Sequence, residues 1–316
     1  MITYTVRRLF AAIFTTWATG SLVFALIRLV PGDVIQSMLG VSSQVSQEAI
    51  NNLKAFFGLD KPIYIQYFHW LGDVLSGNFG QSFRSQVPVI QLVFDRFPVS
   101  GELAVLSMLI ALAIGIPLGT LAAIYRKTPF DGMIRVFATF GLSIPAYWQG
   151  IVFILIFSVY FDWMPSVNWI PFTSDPVGNL KILALPAITL GTVSSAMITR
   201  LTRSTMLEVL SENYIQTARA KGLTERVVNL RHGLKNALIP VLTVAGIQLG
   251  YILGGLVVIE QVFNLPGMGR LLLNAIFQRD YPVVQGTVLF FAFSFAFINL
   301  TVDLLYGILD PRIKYD

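Results

Sequence analysis

Apolar residues along the chain gather into six runs, each long enough for a helix to cross a bilayer and separated by polar segments of unequal length. The runs cover about 9–30, 100–125, 136–161, 180–199, 237–259 and 283–309. A helix needs about 20 predominantly apolar residues to span the hydrocarbon, so the pattern predicts an all-α integral membrane protein with six transmembrane helices. The first run follows Arg7-Arg8 and is longer than a signal core. Pro31-Gly32-Asp33 stands where small cleavage-site residues would fall, so this run is read as a retained span with its N-terminus inside. Pro145 in the third run and Pro186 in the fourth predict kinks, which packed spans tolerate.

The polar stretch Arg200–Asn236 lies between the fourth and fifth runs. Within it Leu207, Leu210, Tyr214 and Ala218 fall at three- and four-residue steps, and Gly222 stands where a helix would stop. The spacing predicts a short amphipathic helix slung between two spans. Such a helix either rests on the lipid surface or serves as a handle for a soluble partner. The other long polar segment, 31–99, runs through Leu59-Asp60-Lys61-Pro62 into Ile63, Gln66, Tyr67 and Trp70. Its aromatics suit a helix on the headgroups, or a docking surface for an external partner.

Composition supports the membrane reading: 55% of residues are hydrophobic and 12% charged, where a soluble protein carries about 25% charge. Mean hydropathy is +0.69. With the N-terminus inside, the inner segments hold 14 of the 22 Lys and Arg, which sets the orientation and puts Arg200–Asn236 in the cytoplasm. The net charge of +5 therefore reports sidedness and gives no reason to expect nucleic acid.

Candidate chemistry is sparse. There is no Cys, hence no disulfide or thiolate metal site, and His69 and His232 lie on opposite sides. No H-E-x-x-H, G-x-S-x-G or G-x-x-x-x-G-K-[ST] motif occurs, so no catalytic or metal residue is assigned and ATP has no phosphate loop here. Glu102, read as first-turn in its helix, and Asp303 are the carboxylates within spans. Both lie near an interface, which disfavours a stand-alone secondary carrier. Gly246, Gly250 and Gly254 recur every four residues and offer a smooth face for helix packing or for a pathway; Gly115 and Gly119 repeat this more weakly. Ser143, Gln149, Gln248 and Asn299 are polar residues that line a path or bond across helices.

The motifs, in order and spacing, carry a resemblance. Besides Arg7-Arg8 and Pro31-Gly32-Asp33 they include Ser76-Gly77-Asn78-Phe79-Gly80, Ile116-Pro117-Leu118-Gly119 and Ser143-Ile144-Pro145-Ala146-Tyr147-Trp148. Further along stand Thr217-Ala218-Arg219-Ala220-Lys221-Gly222-Leu223, Glu260-Gln261-Val262-Phe263-Asn264-Leu265-Pro266-Gly267, Arg279-Asp280-Tyr281-Pro282-Val283 and Asp310-Pro311-Arg312. Nearly end to end, the chain resembles the B-type permease subunits of ABC importers of the oligopeptide/dipeptide/nickel group. The general importer loop reads E-A-A-x-x-x-G, nine residues, I-x-L-P; here Gln216-Thr217-Ala218 and His232-Gly233-Leu234-Lys235 occupy those positions, and only Ala218, Gly222 and Leu234 match.

The resemblance implies a type I ABC importer permease fold in a bacterial or archaeal inner membrane, with both termini cytoplasmic. Residues 1–99 would form an N-terminal span plus extracytoplasmic segment, 100–309 the permease core, and 310–316 a cytoplasmic tail. A coupling helix at about 210–223 would contact the ATPases through Leu210, Tyr214, Thr217, Ala218, Arg219, Ala220, Lys221, Gly222 and Leu223. Implied partners are a second, non-identical permease, two cytoplasmic ATPase subunits that carry the ATP and Mg, and an extracytoplasmic substrate-binding protein. The chain itself would bind no cofactor. Peptides are the expected substrates, with nickel chelates, glutathione or oligosaccharides as alternatives within the group.

Overall fold

The computed structural model describes residues 2–29, 35, 46–163 and 168–309. The Pro31-Gly32-Asp33 and Asp310-Pro311-Arg312 motifs lie outside these residues, as does the side chain of Asp303. The elements are α1 (Ile2–Leu29), α2 (Gln47–Phe56), α3 (Ile63–Leu75), α4 (Val89–Ile124), α5 (Pro129–Ser143), α6 (Ala146–Phe161), α7 (Pro176–Leu210), α8 (Asn213–Ala220), α9 (Glu225–Val262), α10 (Met268–Phe277) and α11 (Tyr281–Leu309). No strand occurs among the described residues.

Five helices, α1, α4, α7, α9 and α11, are long and apolar enough to cross a membrane, and α5 with α6 makes a sixth if the bent pair is one span. The expected kink at Pro145 is a break: the two halves diverge by 104°. Proline lacks an amide hydrogen and pushes the preceding residue out of the helical region. Ile144 is accordingly extended, at φ −87° and ψ 125°.

Three helices overrun their expected spans. α4 begins at Val89, so Glu102 lies well inside it and not in the first turn; the carboxylate instead accepts a hydrogen bond from Asn179 Nδ2 at 2.7 Å. α7 starts at an Asp175 cap, whose side chain accepts from the Gly178 amide at 3.0 Å, and continues to Leu210. α9 takes in Glu225 onward, including a π-helical turn at Val228–Leu234.

The core sits where α4 and α7 run against each other, with α9 beside them. Leu103, Leu183, Leu185, Ile198, Leu256 and Ile259 are fully buried there. Glycine permits the close approach. A Cβ on Gly119 would lie 2.6 Å from the Thr199 carbonyl oxygen, and one on Gly191 would lie 2.6 Å from Ile110 Cγ2. α1 rides on α11 at the edge, most of its surface exposed.

The segment before α4 is tied to the bundle. On α3, the Tyr67 hydroxyl pairs with Ser21 Oγ at 2.8 Å and accepts from Trp17 Nε1 at 3.1 Å, so α3 is stapled along α1. The Ser82 turn is held by Asp280, whose carboxylate accepts from Ser82 Oγ at 2.5 Å and from the Phe83 amide at 3.1 Å.

Candidate functional site

α8 is joined to the end of α7 by two residues. The Ser211 amide bonds back to the Glu208 carbonyl at 3.1 Å and the Ile215 amide to that of Glu212 at 3.1 Å, so α7 closes and a new helix opens at once. The break resets the helical phase. Leu207 and Leu210 belong to α7, and the inward face of α8 is Ile215 with Ala218. Ile215 is fully buried, and it and Ala218 form an apolar cluster with Val228 of the π turn, packed by Leu210.

The far end of α8 closes on glycine. The Gly222 amide bonds to the Arg219 carbonyl at 2.9 Å and the Leu223 amide to that of Ala218 at 3.3 Å, with Gly222 at φ +81°. This is a left-handed C-terminal cap that favours glycine. Arg219 then reaches across the turn to Glu225, Nε to Oε1 at 2.8 Å and Nη2 to Oε2 at 3.3 Å. The Tyr214 hydroxyl donates to the His232 carbonyl at 3.4 Å and accepts from Asn236 Nδ2 at 2.9 Å, so it anchors α8 to the start of α9.

These bonds sort the sequence-derived residues. Ala218 turns inward, so it positions the helix and does not offer a surface to a partner; Leu210 likewise packs at the junction. Arg219 is engaged with Glu225. Tyr214, Thr217, Ala220, Lys221, Gly222 and Leu223 are exposed, and Val227 and Leu230 extend the apolar part of that surface beyond them. Sequence reasoning missed Ile215; its apolar side chain amid polar neighbours, three residues before Ala218, was the available signal.

The seat beneath α8 is braced. Met206 on α7, Ala123 at the end of α4 and Ala237 on α9 are buried in one cluster. On the other side Arg203 of α7 holds Asp131 of α5. The end of α7, to which α8 is joined, is thus packed or bonded to α4, α5 and α9.

The remaining candidates do not converge on one channel. Gly246 and Gly250 lie against Val302 and Phe295 of α11, whereas Gly254 faces open space. Ser143 donates to the Thr139 carbonyl at 2.9 Å, and Pro145 caps α6. Gln149 donates to Thr192 Oγ1 at 2.7 Å, linking α6 to α7. Gln248 is half-buried on α9, and Asn299 borders a small cavity between α1 and α11.

The Glu260 motif has a structural explanation. Buried Glu260 accepts from Ser100 Oγ at 2.5 Å and from the Arg270 amide at 3.0 Å, and Ser100 Oγ accepts from the Met268 amide at 2.8 Å. One carboxylate thus caps α10 and ties it to α4. Gly267 leaves the room, since a Cβ there would overlap that carboxylate.

Comparison with known proteins places this architecture. Residues 115–315 match the family described as binding-protein-dependent transport system inner membrane component, and residues 1–104 match its N-terminal counterpart. A peptide transport system permease protein of Brucella abortus (strain 2308) is 42% identical over 98% of both chains. The glutathione transport system permease protein GsiC of Escherichia coli (strain K12) is 38% identical over the full length of both. Among solved structures, an inward-facing form of the MetNI methionine ABC transporter superposes with a TM-score of 0.59 at 16% identity, covering 70% of this chain and 97% of that one.

Proposed function

Since the chain belongs to the family of binding-protein-dependent transport system inner membrane components and is an ABC importer permease, we propose that it forms half of a substrate pathway for short peptides. The other half is a second, non-identical permease. Two cytoplasmic ATPases and an extracytoplasmic binding protein complete the assembly, and the chain itself holds no nucleotide. The assembly sits in a bacterial or archaeal inner membrane with both termini of this chain in the cytoplasm, the side richest in Lys and Arg. Residues 100–309 act as the core, and 1–99 as an added span with an outer segment.

The observation that carries this reading is α8 and its cap: a short helix with exposed Tyr214, followed by exposed Lys221 and Leu223 and held by buried Ile215 and Ala218 between the ends of two spans. Such a face suits a groove on a soluble partner. ATP and Mg2+ on the ATPases supply the driving energy. In this chain, Tyr214 and Leu223 fill the groove and Lys221 adds charge at its rim. Ile215 and Ala218 pass the displacement to α9 through Val228, and the two-residue turn passes it to α7. The spans then alternate between outward and inward openings. Relatives named for peptide and for glutathione transport, the latter itself a tripeptide, support short peptides as the substrate class.

The experiment is Leu223→Asp in the assembled transporter. Because Leu223 is exposed, the variant should insert and keep its thermal midpoint while ATPase co-isolation or binding-protein-stimulated hydrolysis falls about tenfold. Unchanged, ATP-driven uptake in this variant sinks the coupling assignment. Ligand binding to the cognate external protein decides between peptides and other substrates.

A further inference from the structure

A cleft between α1, α3 and α11 has features that coupling does not use. Near the end of α1, Arg28 donates from Nε to Gln66 Oε1 at 3.0 Å and from Nη1 to the Phe24 carbonyl at 3.1 Å. Its guanidinium carbon lies 3.4 Å from the centre of the Phe24 ring. No carboxylate pairs with it among the described residues, and Nη2 has no partner there. The guanidinium borders a cavity of about 320 Å³, together with Lys61, His69, Asp73 and Trp70. Gln285 lines the same cavity; it is 5% exposed, and its Nε2 has no hydrogen-bond partner. The cavity is thus rich in donors, with two permanent cations against one anion.

Along α11 a second cavity of about 310 Å³ follows, lined by Val89, Val93, Leu289, Phe290 and Phe293. Phe79 borders both. On α11 the polar cavity uses Tyr281 and Gln285, and the apolar one begins at Gly286 and ends at Phe293. From Tyr281 to Phe293 the helix rises about 18 Å, comparable to one leaflet of hydrocarbon at about 15 Å. Donors above and hydrocarbon walls below, over one leaflet's depth, match the two ends of a lipid.

We propose that this cleft is a binding site for one anionic phospholipid, with the headgroup phosphate at Arg28 and an acyl chain in the apolar cavity. A phosphate supplies acceptor oxygens for the guanidinium and for Gln285. Free phosphate would leave the apolar cavity unfilled, and a zwitterionic lipid would not use the excess of positive charge. Trp70 and Tyr67 set the depth, as aromatics do at the headgroup level. The inference needs only that the chain sits in a bilayer, so it stands or falls apart from the coupling assignment.

The test uses the complete transporter in nanodiscs of equal phosphatidylglycerol and phosphatidylcholine, extracted into detergent and weighed by native mass spectrometry. The wild-type complex should retain phosphatidylglycerol preferentially. Arg28→Gln should lower that preference about tenfold, and Arg28→Lys should keep it. Ile90→Trp, at a half-exposed position on the apolar cavity, should lose retention of both lipids, and it decides the matter if Arg28→Gln fails to assemble. Identical lipid retention in wild type and variants overturns the proposal. So does retention without headgroup preference, or displacement of the lipid by a short peptide or the binding protein.

Discussion

Arg203 holds Asp131 through two parallel hydrogen bonds, Nε to Oδ1 at 2.7 Å and Nη2 to Oδ2 at 3.0 Å. The Asp131 side chain is almost fully buried, and it also accepts from the Lys127 amide at 3.2 Å. The pair fastens α7, about two helical turns before the α8 junction, to the first turn of the broken α5–α6 pair. Arg203→Met leaves the buried carboxylate only the Lys127 amide and the mostly exposed Arg135, whose Nε stands 3.5 Å away, so the loss should be about 3 kcal/mol, the low end for breaking a buried pair. The thermal midpoint of the purified complex should fall accordingly. In Arg203→Met/Asp131→Asn the two losses should add to clearly less than their sum, and strict additivity would show that the pair is not coupled.

Ile215 is buried under α8 and Leu223 is exposed just past its glycine cap, so they separate two kinds of damage. Ile215→Ala empties a fully buried position, at about 2–4 kcal/mol by analogy with other buried aliphatics. Amides of 213–223 should then exchange faster with deuterium while the spans remain protected, and transport should fall with them. Leu223→Asp should leave that exchange unchanged. If both variants exchange alike, the inward-outward division of α8 is wrong.

The spans were legible because lipid demands an uninterrupted apolar run, and the six runs do map onto the five long helices and the bent pair. Their full lengths were not. α4 begins among Gln91, Asp95 and Arg96, and α7 ends among Arg200, Arg203 and Glu208; these turns are polar, so hydropathy does not register them. Pro145 marked the third span, but proline specifies a lost hydrogen bond and not an angle, so a kink and a 104° break look alike in sequence. The face of α8 is not legible from spacing alone, because the chain restarts its helical phase at Ser211-Glu212 and Leu210 and Tyr214 fall on different helices. Glu260 stood out only as part of a motif, since its partner Ser100 lies 160 residues away.

The glycines of α9 divide by what they meet. Ala at Gly246 or Gly250 would strike Val302 or Phe295, and Ala at Gly119 on α4 would strike the α7 backbone. Each should cost about 1–3 kcal/mol through overpacking. Gly254→Ala meets open space, and by helix propensity should be neutral or stabilise by up to about 1 kcal/mol. Thermal midpoints of the four variants check this directly. A loss of uptake in Gly254→Ala without a loss of stability would assign that position to the moving or partner-facing surface; destabilisation there would contradict the open face.

Glu260 replaces several local caps with one side chain, and its removal should be felt at a distance from it in sequence. Glu260→Ala leaves the Ser100 hydroxyl and the Arg270 amide buried without their acceptor, at about 1–3 kcal/mol for each group left unmet. Gly267→Ala attacks the same junction from outside by forcing the carboxylate away. Both should accelerate deuterium exchange at the first turn of α10, around Met268–Leu271, and loosen its hold on α4. Glu260→Gln retains one acceptor oxygen and the shape, so it should fall between wild type and Glu260→Ala. If Glu260→Ala leaves the exchange of α10 untouched, the carboxylate is not what holds that helix in place.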